Sequence, residues 1–75
     1  MTKDERFLRE IYKKLQAGEE TVNPFDIGHD LSFTNHQIIN ILRGLMQANL
    51  VKRFTSEEVA LTPRGQEVAV TLVGG

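Results

Sequence analysis

The fold of this chain is decided by one run of sequence, Asp26 to Val51, which reads DIGHDLSFTNHQIINILRGLMQANLV. In its second half aliphatic residues recur at helical spacing, which gives one side of a helix an apolar face. These residues are Ile38, Ile41, Leu42 and Leu45. Ser32-Phe33 forms a turn before this helix, Thr34 is its candidate N-cap, and Asn49 can close it in the left-handed conformation. The run therefore predicts a helix from Thr34 to Asn49.

A shorter helix is predicted just before that turn. Asn23 followed by Pro24 is typical of an N-cap with proline in the first helical position, where a missing N–H has no cost. Ile27 and Leu31 lie four residues apart on its apolar side. Gly28 has no side chain, so another helix can approach closely there.

A first helix is predicted near the N-terminus and is stopped by Gly18. Its apolar stripe consists of Phe7, Leu8, Ile11, Tyr12 and Leu15. The polar residues between them are expected to face water: Lys3, Arg6, Arg9, Glu10, Lys13 and Lys14. Acids alternate with these cations at ion-pairing distance, so the first helix is interpreted as an ordinary solvated surface.

After the long helix the pattern changes to strands. Leu50 to Thr55 and Val59 to Leu61 are β-prone and flank the polar tip Ser56-Glu57-Glu58, which indicates a hairpin. Thr62-Pro63 repeats the cap-plus-proline signal and predicts a last helix ending at Gly74-Gly75. Its several β-branched residues leave a strand or a frayed end as the alternative. The expected order is helix-helix-helix-strand-strand-helix in one domain over residues 1–75, mainly α with a small β-hairpin (α+β).

Length and composition limit what such a chain can be. With 75 residues and no cysteine, it has room for one small core and has no thiolate nucleophile, disulfide or cysteine-based zinc site. A charged N-terminus leads directly into the first helix, so neither a signal peptide nor a membrane span is expected, and a cytoplasmic location fits. The formal net charge is −1. However, residues 31–56 contain Arg43, Lys52 and Arg53 and no carboxylate.

The run from Asp26 to Val51 resembles the helix-turn-helix of bacterial transcription regulators, aligned without a gap. Further on, Leu61-Thr62-Pro63-Arg64-Gly65 resembles the segment that follows the wing in MarR-like and PadR-like regulators. The resemblance implies a winged helix-turn-helix fold that binds DNA through its third helix. The chain differs from the pattern at Ser32 and Asn49, where glycine is usual, and at Gly28, where alanine is usual.

In such a fold the apolar side of the third helix faces the core, so its other side points outward and suits base edges. Asparagine and glutamine can bond adenine through two hydrogen bonds, and arginine can reach phosphate or guanine. The candidate DNA-binding residues are Thr34, Asn35, His36, Gln37, Ile39, Asn40, Arg43, Lys52 and Arg53. The glutamates at the wing tip are expected to keep the wing out of a minor groove.

Catalysis and cofactor binding are not expected. The only conceivable metal constellation is His29, Asp30 and His36, which lie on different elements without the spacing that directs two imidazoles at one ion. No nucleophile motif and no glycine-rich phosphate loop is present. So small a core also leaves little room for a ligand pocket.

The sequence therefore favours a homodimeric DNA-binding regulator whose partner is double-stranded DNA. The apolar face formed by Val68, Leu72 and Val73 on the last helix is the predicted dimer surface. The alternative is a winged-helix protein interaction module without DNA binding, in which Ile39, His36 and Phe54 form an apolar-centred patch. The near-neutral charge favours this alternative.

Overall fold

The computed structural model describes residues 1–74, so the final residue of the predicted last helix lies outside the described residues. The elements follow the predicted order. They are α1 (Lys3–Gln16), α2 (Pro24–Asp30), α3 (Asn35–Gln47), β1 (Val51–Arg53), β2 (Val59–Leu61) and α4 (Pro63–Gly74). The last segment is a helix, as predicted, and not the strand or frayed end that its β-branched residues left as the alternative.

The helices begin where their caps predict. The Asn23 side chain accepts a hydrogen bond from the backbone N–H of Phe25 at 2.9 Å, and Pro24 occupies the first position of α2. At the start of α1, the Thr2 hydroxyl accepts from the Glu5 N–H at 3.1 Å while the Glu5 carboxylate accepts from the Thr2 N–H at 2.9 Å. This reciprocal pair, a capping box, satisfies two backbone donors that a helix N-terminus otherwise leaves unpaired.

One apolar core lies between the helices and the inner face of the hairpin. Its most buried large side chains are Phe7, Leu8, Ile11 and Ile38. Phe33 also belongs to it, with its ring stacked on that of Phe7 at 6.5 Å between centroids. The sequence assigned Phe33 only to a turn, whereas the structure shows that it fastens the turn to α1.

Two glycines mark places where elements touch too closely for any side chain. A Cβ on Gly28 would collide with Ile38, so α2 and α3 pack backbone against side chain at that point, as predicted. A Cβ on Gly65 would collide with the backbone carbonyl of Leu50, which brings the start of α4 against the end of the connection leaving α3.

Two residues other than glycine hold the left-handed conformation that the sequence indicated. Ser32 has φ +64° in the turn between α2 and α3, and Asn49 has φ +61° after α3. The backbone N–H of Phe33 bonds the Gly28 carbonyl at 2.8 Å, which tightens the first of these turns. The chain can thus reverse sharply between α2 and α3 without glycine, at a steric cost of about 1 kcal/mol for serine.

The hairpin is shorter than predicted on its first strand. β1 ends at Arg53, and the register pairs Val51 with Leu61 and Arg53 with Val59. Beyond Arg53 the chain turns into the tip instead of continuing to Thr55. On its free side β2 forms one bridge to Val22, just before α2, through Val59.

Thr62 joins three elements at one point. Its hydroxyl donates to the Asn49 carbonyl at 2.6 Å and accepts from the Gly65 N–H at 3.0 Å, while its backbone N–H bonds the Leu50 carbonyl at 3.1 Å. The side chain therefore caps α4 and, through the same oxygen, ties α4 to the segment that follows α3.

Two surface expectations for α1 need correction. Arg9 and Glu10 were predicted to face water, but both are half-buried, and the Nε atom of Arg9 is covered without a hydrogen-bond partner. The reason is that α1 contacts α2, α3 and α4, so neighbours cover its flanks as well as its apolar stripe. Within residues 1–74, no helix combines the length and apolar character needed to cross a membrane.

Candidate nucleic-acid interface

The start of α3 is held by a second capping box. The Thr34 hydroxyl accepts from the Gln37 N–H at 3.2 Å, and the Gln37 side-chain oxygen accepts from the Thr34 N–H at 2.9 Å. Thr34 and Gln37 were both predicted to face DNA. The structure shows that each already has a structural role, and that Gln37 is half-buried.

A side-chain bridge connects α2 to the first residue of α3. The His29 Nε2 atom lies 2.7 Å from the Asn35 Oδ1 atom, and since an amide oxygen only accepts, the imidazole donates. The Phe25 ring lies beside the His29 ring, 6.3 Å between centroids. The bridge spans the turn at Ser32, so it positions both the imidazole and the amide.

The outward face of α3 carries the side chains that the sequence placed there. Those exposed are Asn35, His36, Ile39, Asn40 and Arg43. The inward face holds the four predicted aliphatic residues, all of them buried. The first turn of α3 contains no acidic residue, so nothing opposes the partial positive charge of the helix N-terminus.

The two predicted cations of the hairpin have different surroundings. Arg53 lines the same groove as Arg43 on α3 and also borders a hollow of about 530 Å³ that contains Glu19 and Glu20, whereas Lys52 lines only that hollow. Adjacent residues of a strand point to opposite faces, which accounts for the difference. Arg53 is therefore grouped with the face of α3, and Lys52 is not.

The wing tip is held by its own hydrogen bonds. The Thr55 hydroxyl accepts from the backbone N–H groups of Glu57 and Glu58, at 3.3 and 3.0 Å. The Arg53 Nη1 atom donates to the Ser56 carbonyl at 3.3 Å. The two glutamates consequently stand at a defined place beside the groove, of which both are lining residues.

Sequence reasoning missed this groove. It is an open hollow of about 860 Å³ between α3, the start of α2 and the wing, with Phe25, Leu42 and Met46 among its apolar lining. The small core was expected to leave no room for a pocket, but the groove lies between elements on the surface and not within the core. Its walls come from segments distant in sequence, so no local motif indicates it.

The two apolar members of the patch in the alternative interpretation line different hollows. Ile39 and Phe54 are both exposed, at 44% and 58%, but Ile39 lines the groove while Phe54 lines the hollow that contains Lys52. On the last helix, Val68 and Leu72 are half-buried against the core, and Val73 is the exposed member of the predicted dimer surface. Residues 1–74 contain no cluster of three side chains able to hold a metal ion.

Comparison with solved structures identifies the class of fold. The chain superposes on MepR, a transcription regulator of the Staphylococcus aureus multidrug efflux pump MepA, with a TM-score of 0.81 and 22% identity over 99% of this chain and 56% of that one. A MepR mutant bound to an oligodeoxyribonucleotide gives a TM-score of 0.80 at 22% identity, with the same coverage. A MarR family protein of Mycobacterium tuberculosis gives 0.77 at 24% identity over 99% of this chain and 53% of that one.

These likenesses establish a winged-helix fold of the kind found in MarR-family regulators, and they confirm at the level of the fold the resemblance seen in the sequence. The chain spans a little over half the length of the solved structures it matches. Neither a protein-family model nor a curated protein matches the sequence.

Proposed function

We propose that this chain is the DNA-binding domain of a cytoplasmic transcription regulator and reads the major groove of double-stranded DNA with α3. The observation that carries the proposal is the outward face of α3, where polar side chains and one arginine are exposed above a fully apolar inward face. An α-helix with such a face fits the width of the major groove, and amides and guanidinium groups suit base edges.

Electrostatics predicts a binding mode with few phosphate contacts. Arg43 and Arg53 share one groove with Glu57 and Glu58, and Lys52 lines a second hollow that contains Glu19 and Glu20. Two to three phosphate contacts would give a slope of log affinity against log salt of about −2 to −3. Affinity then depends mainly on base contacts and on the pairing of two copies.

The wing is proposed to stay outside the minor groove. Glu57 and Glu58 stand at its tip, where they would meet backbone phosphates of like charge. Arg53 at the end of β1 is the hairpin residue that supports α3 on the duplex.

The regulator is proposed to act as a homodimer on two half-sites about one helical turn apart, roughly 34 Å. The predicted surface Val68, Leu72 and Val73 is retained, with Val73 as its accessible part. Val70 is a second exposed valine of α4, at 45%, and extends this surface. Sedimentation as a monomer at high concentration would remove this part of the proposal.

The test is a binding titration of the chain with fluorescent random-sequence duplexes at several salt concentrations. We expect the slope given above, and loss of binding in the Asn40→Ala and Arg43→Ala double variant at an unchanged melting temperature. Arg6→Ala is the matched control, because it removes an exposed guanidinium from α1. Duplex binding that is equal in the double variant and the control would contradict the proposal.

The protein interaction alternative gives a different result in the same titration. An interaction module of that kind would not bind the duplex. Its affinity for a protein partner would be insensitive to salt, because an apolar-centred protein interface releases no counterions. No duplex binding at low salt would exclude the DNA-binding proposal in favour of that alternative.

A further inference from the structure

The amides at the start of α3 are not free to present both of their hydrogen-bonding atoms. The Gln37 side-chain oxygen accepts from the Thr34 backbone N–H, and the Asn35 side-chain oxygen accepts from His29. Oxygen and nitrogen diverge from the carbon of a planar amide. Holding the oxygen against its partner therefore turns the NH₂ group away from it.

This arrangement changes the expected base preference. A two-bond contact from asparagine or glutamine to adenine needs an amide oxygen to accept from N6 and an amide nitrogen to donate to N7. Both oxygens at the start of α3 are directed at protein donors. Within residues 1–74, Asn40 makes no side-chain hydrogen bond, so its amide retains both atoms.

We infer that the amides of Asn35 and Gln37 present hydrogen-bond donors only and that Asn35 selects guanine, whose major-groove edge offers two adjacent acceptors, N7 and O6. This inference rests on the proposed DNA binding and specifies what Asn35 reads. It replaces the expectation, drawn from residue type alone, that the amides of Asn35 and Gln37 read adenine. The positive end of the helix dipole acts in the same direction, because it favours acceptor atoms.

His29 is the positioning residue in this arrangement. It lies on α2 and acts on the duplex through Asn35, whose oxygen it holds at 2.7 Å. Without the imidazole the Asn35 amide can rotate by half a turn and exchange its oxygen with its nitrogen. Adenine then becomes acceptable at the same position.

The experiment is selection of duplexes from a random pool by the full chain, followed by sequencing, for wild type and four variants. Asn35→Asp identifies the base read by Asn35, because it keeps an acceptor for His29 but removes the donors. At that position we expect guanine to be replaced by cytosine, which offers an amino donor. His29→Ala should reduce the preference for guanine over adenine from about tenfold to less than about threefold.

Rescue and control variants separate positioning from general stability. His29→Gln keeps an N–H donor of similar reach and should restore the guanine preference. Arg6→Ala, which removes an exposed guanidinium from α1, should leave that position unchanged. Replacing the selected guanine by 7-deazaguanine removes N7 while keeping the Watson–Crick pair, and should weaken binding about tenfold.

The outcomes distinguish this inference from the proposed function. Enrichment of adenine at the position that responds to Asn35→Asp, or an unchanged preference in His29→Ala, overturns the inference and leaves DNA binding standing. A pool with no enrichment and no salt-dependent binding overturns both. Guanine that is lost with His29→Ala and restored with His29→Gln supports the inference.

Discussion

Helices α1 and α3 are built with the same devices at both ends, yet one is structural and the other faces a proposed partner. Each begins with a threonine capping box, and each ends with alanine as the C-cap. A residue with positive φ then follows: Gly18 after α1 and Asn49 after α3. The two helices therefore share the architecture of their ends and differ in the charge at their N-termini.

The two capping boxes differ in the third helical residue, whose side chain bonds back to the threonine N–H. α1 has Glu5 there, next to Asp4, whereas α3 has Gln37 and no acid in its first turn. The pKa of the Glu5 carboxyl lies below its ordinary value. The main cause is the hydrogen bond from the backbone N–H of Thr2, and the Thr2 hydroxyl makes a smaller contribution. A carboxylate neutralises the positive end of a helix, and an amide caps it without doing so. The start of α3 is consequently capped but still electropositive.

The largest expected effect comes from giving α3 the capping residue of α1. Gln37→Glu keeps the capping box, so the melting temperature should be unchanged or higher. It also brings a negative charge to the face proposed to meet DNA, and we expect duplex affinity to fall by about tenfold or more, about 1.4 kcal/mol. Fluorescence anisotropy measures the affinity. The reciprocal control, Glu5→Gln on α1, should leave affinity unchanged, and equal affinities in both variants would place the start of α3 away from the duplex.

The next largest effect is expected in the free energy of unfolding, from substitutions at the C-terminal ends of α1 and α3. Gly18 has φ +112° and open space around its Cβ position, so Gly18→Ala tests backbone strain without a steric clash against neighbours. We expect a loss of about 1 to 2 kcal/mol in the free energy of unfolding. Asn49→Gly at the matching position of α3 should be neutral or slightly stabilising. Urea unfolding checks both, and an equal effect of the two substitutions would contradict this interpretation.

Removing each threonine separates the structural role of a cap from any role in binding. Thr2→Ala and Thr34→Ala should each cost about 1 kcal/mol, or about 4–8 °C in melting temperature. Neither substitution should alter base preference, because alanine at position 34 keeps the backbone N–H that holds the Gln37 side-chain oxygen. Thermal unfolding and duplex selection on the same two variants provide the measurement. A change of base preference in Thr34→Ala but not in Thr2→Ala would contradict this expectation and would mean that the Thr34 hydroxyl itself contacts the duplex.

The smallest expected effect is the pH dependence of the α1 cap. Because the folded pKa of Glu5 is lowered from 4.5, the stability it contributes is present above that value and is lost as the pH falls through the lowered folded pKa. Melting curves of wild type and Glu5→Gln should therefore differ at neutral pH and converge in acid. A difference that grows as the pH falls would have the wrong sign. The α3 cap, being an amide, contributes no such dependence.

The helices could be predicted from sequence because their signals are local. Apolar spacing gave the buried face of α3, and Asn23-Pro24 gave the start of α2. The spacing of Thr34 and Gln37, three residues apart, also indicates the capping box of α3. Residue type alone does not show that this box occupies the Gln37 side-chain oxygen. Residue type supplies hydrogen-bonding capacity, and only the structure shows how much of it is already used.

The remaining features depend on contacts between distant segments. The His29–Asn35 bridge needs the turn geometry at Ser32, and the groove needs the wing beside α3. Strand alternation gives Lys52 and Arg53 different surroundings, but which of the two lines the groove beside α3 depends on how the hairpin packs. Such features are set by tertiary placement, for which the sequence gives no periodic signal.

The oxygen atom of Thr62 gives the molecule a mechanical property. It bonds the segment that follows α3 and the start of α4 at once, which couples the orientation of one helix to that of the other. Whatever is fastened to α4 thereby sets the angle at which α3 is presented. In a dimer of the proposed kind, the distance between the two α3 helices would then be fixed. Inserting one base pair between the half-sites would therefore weaken binding.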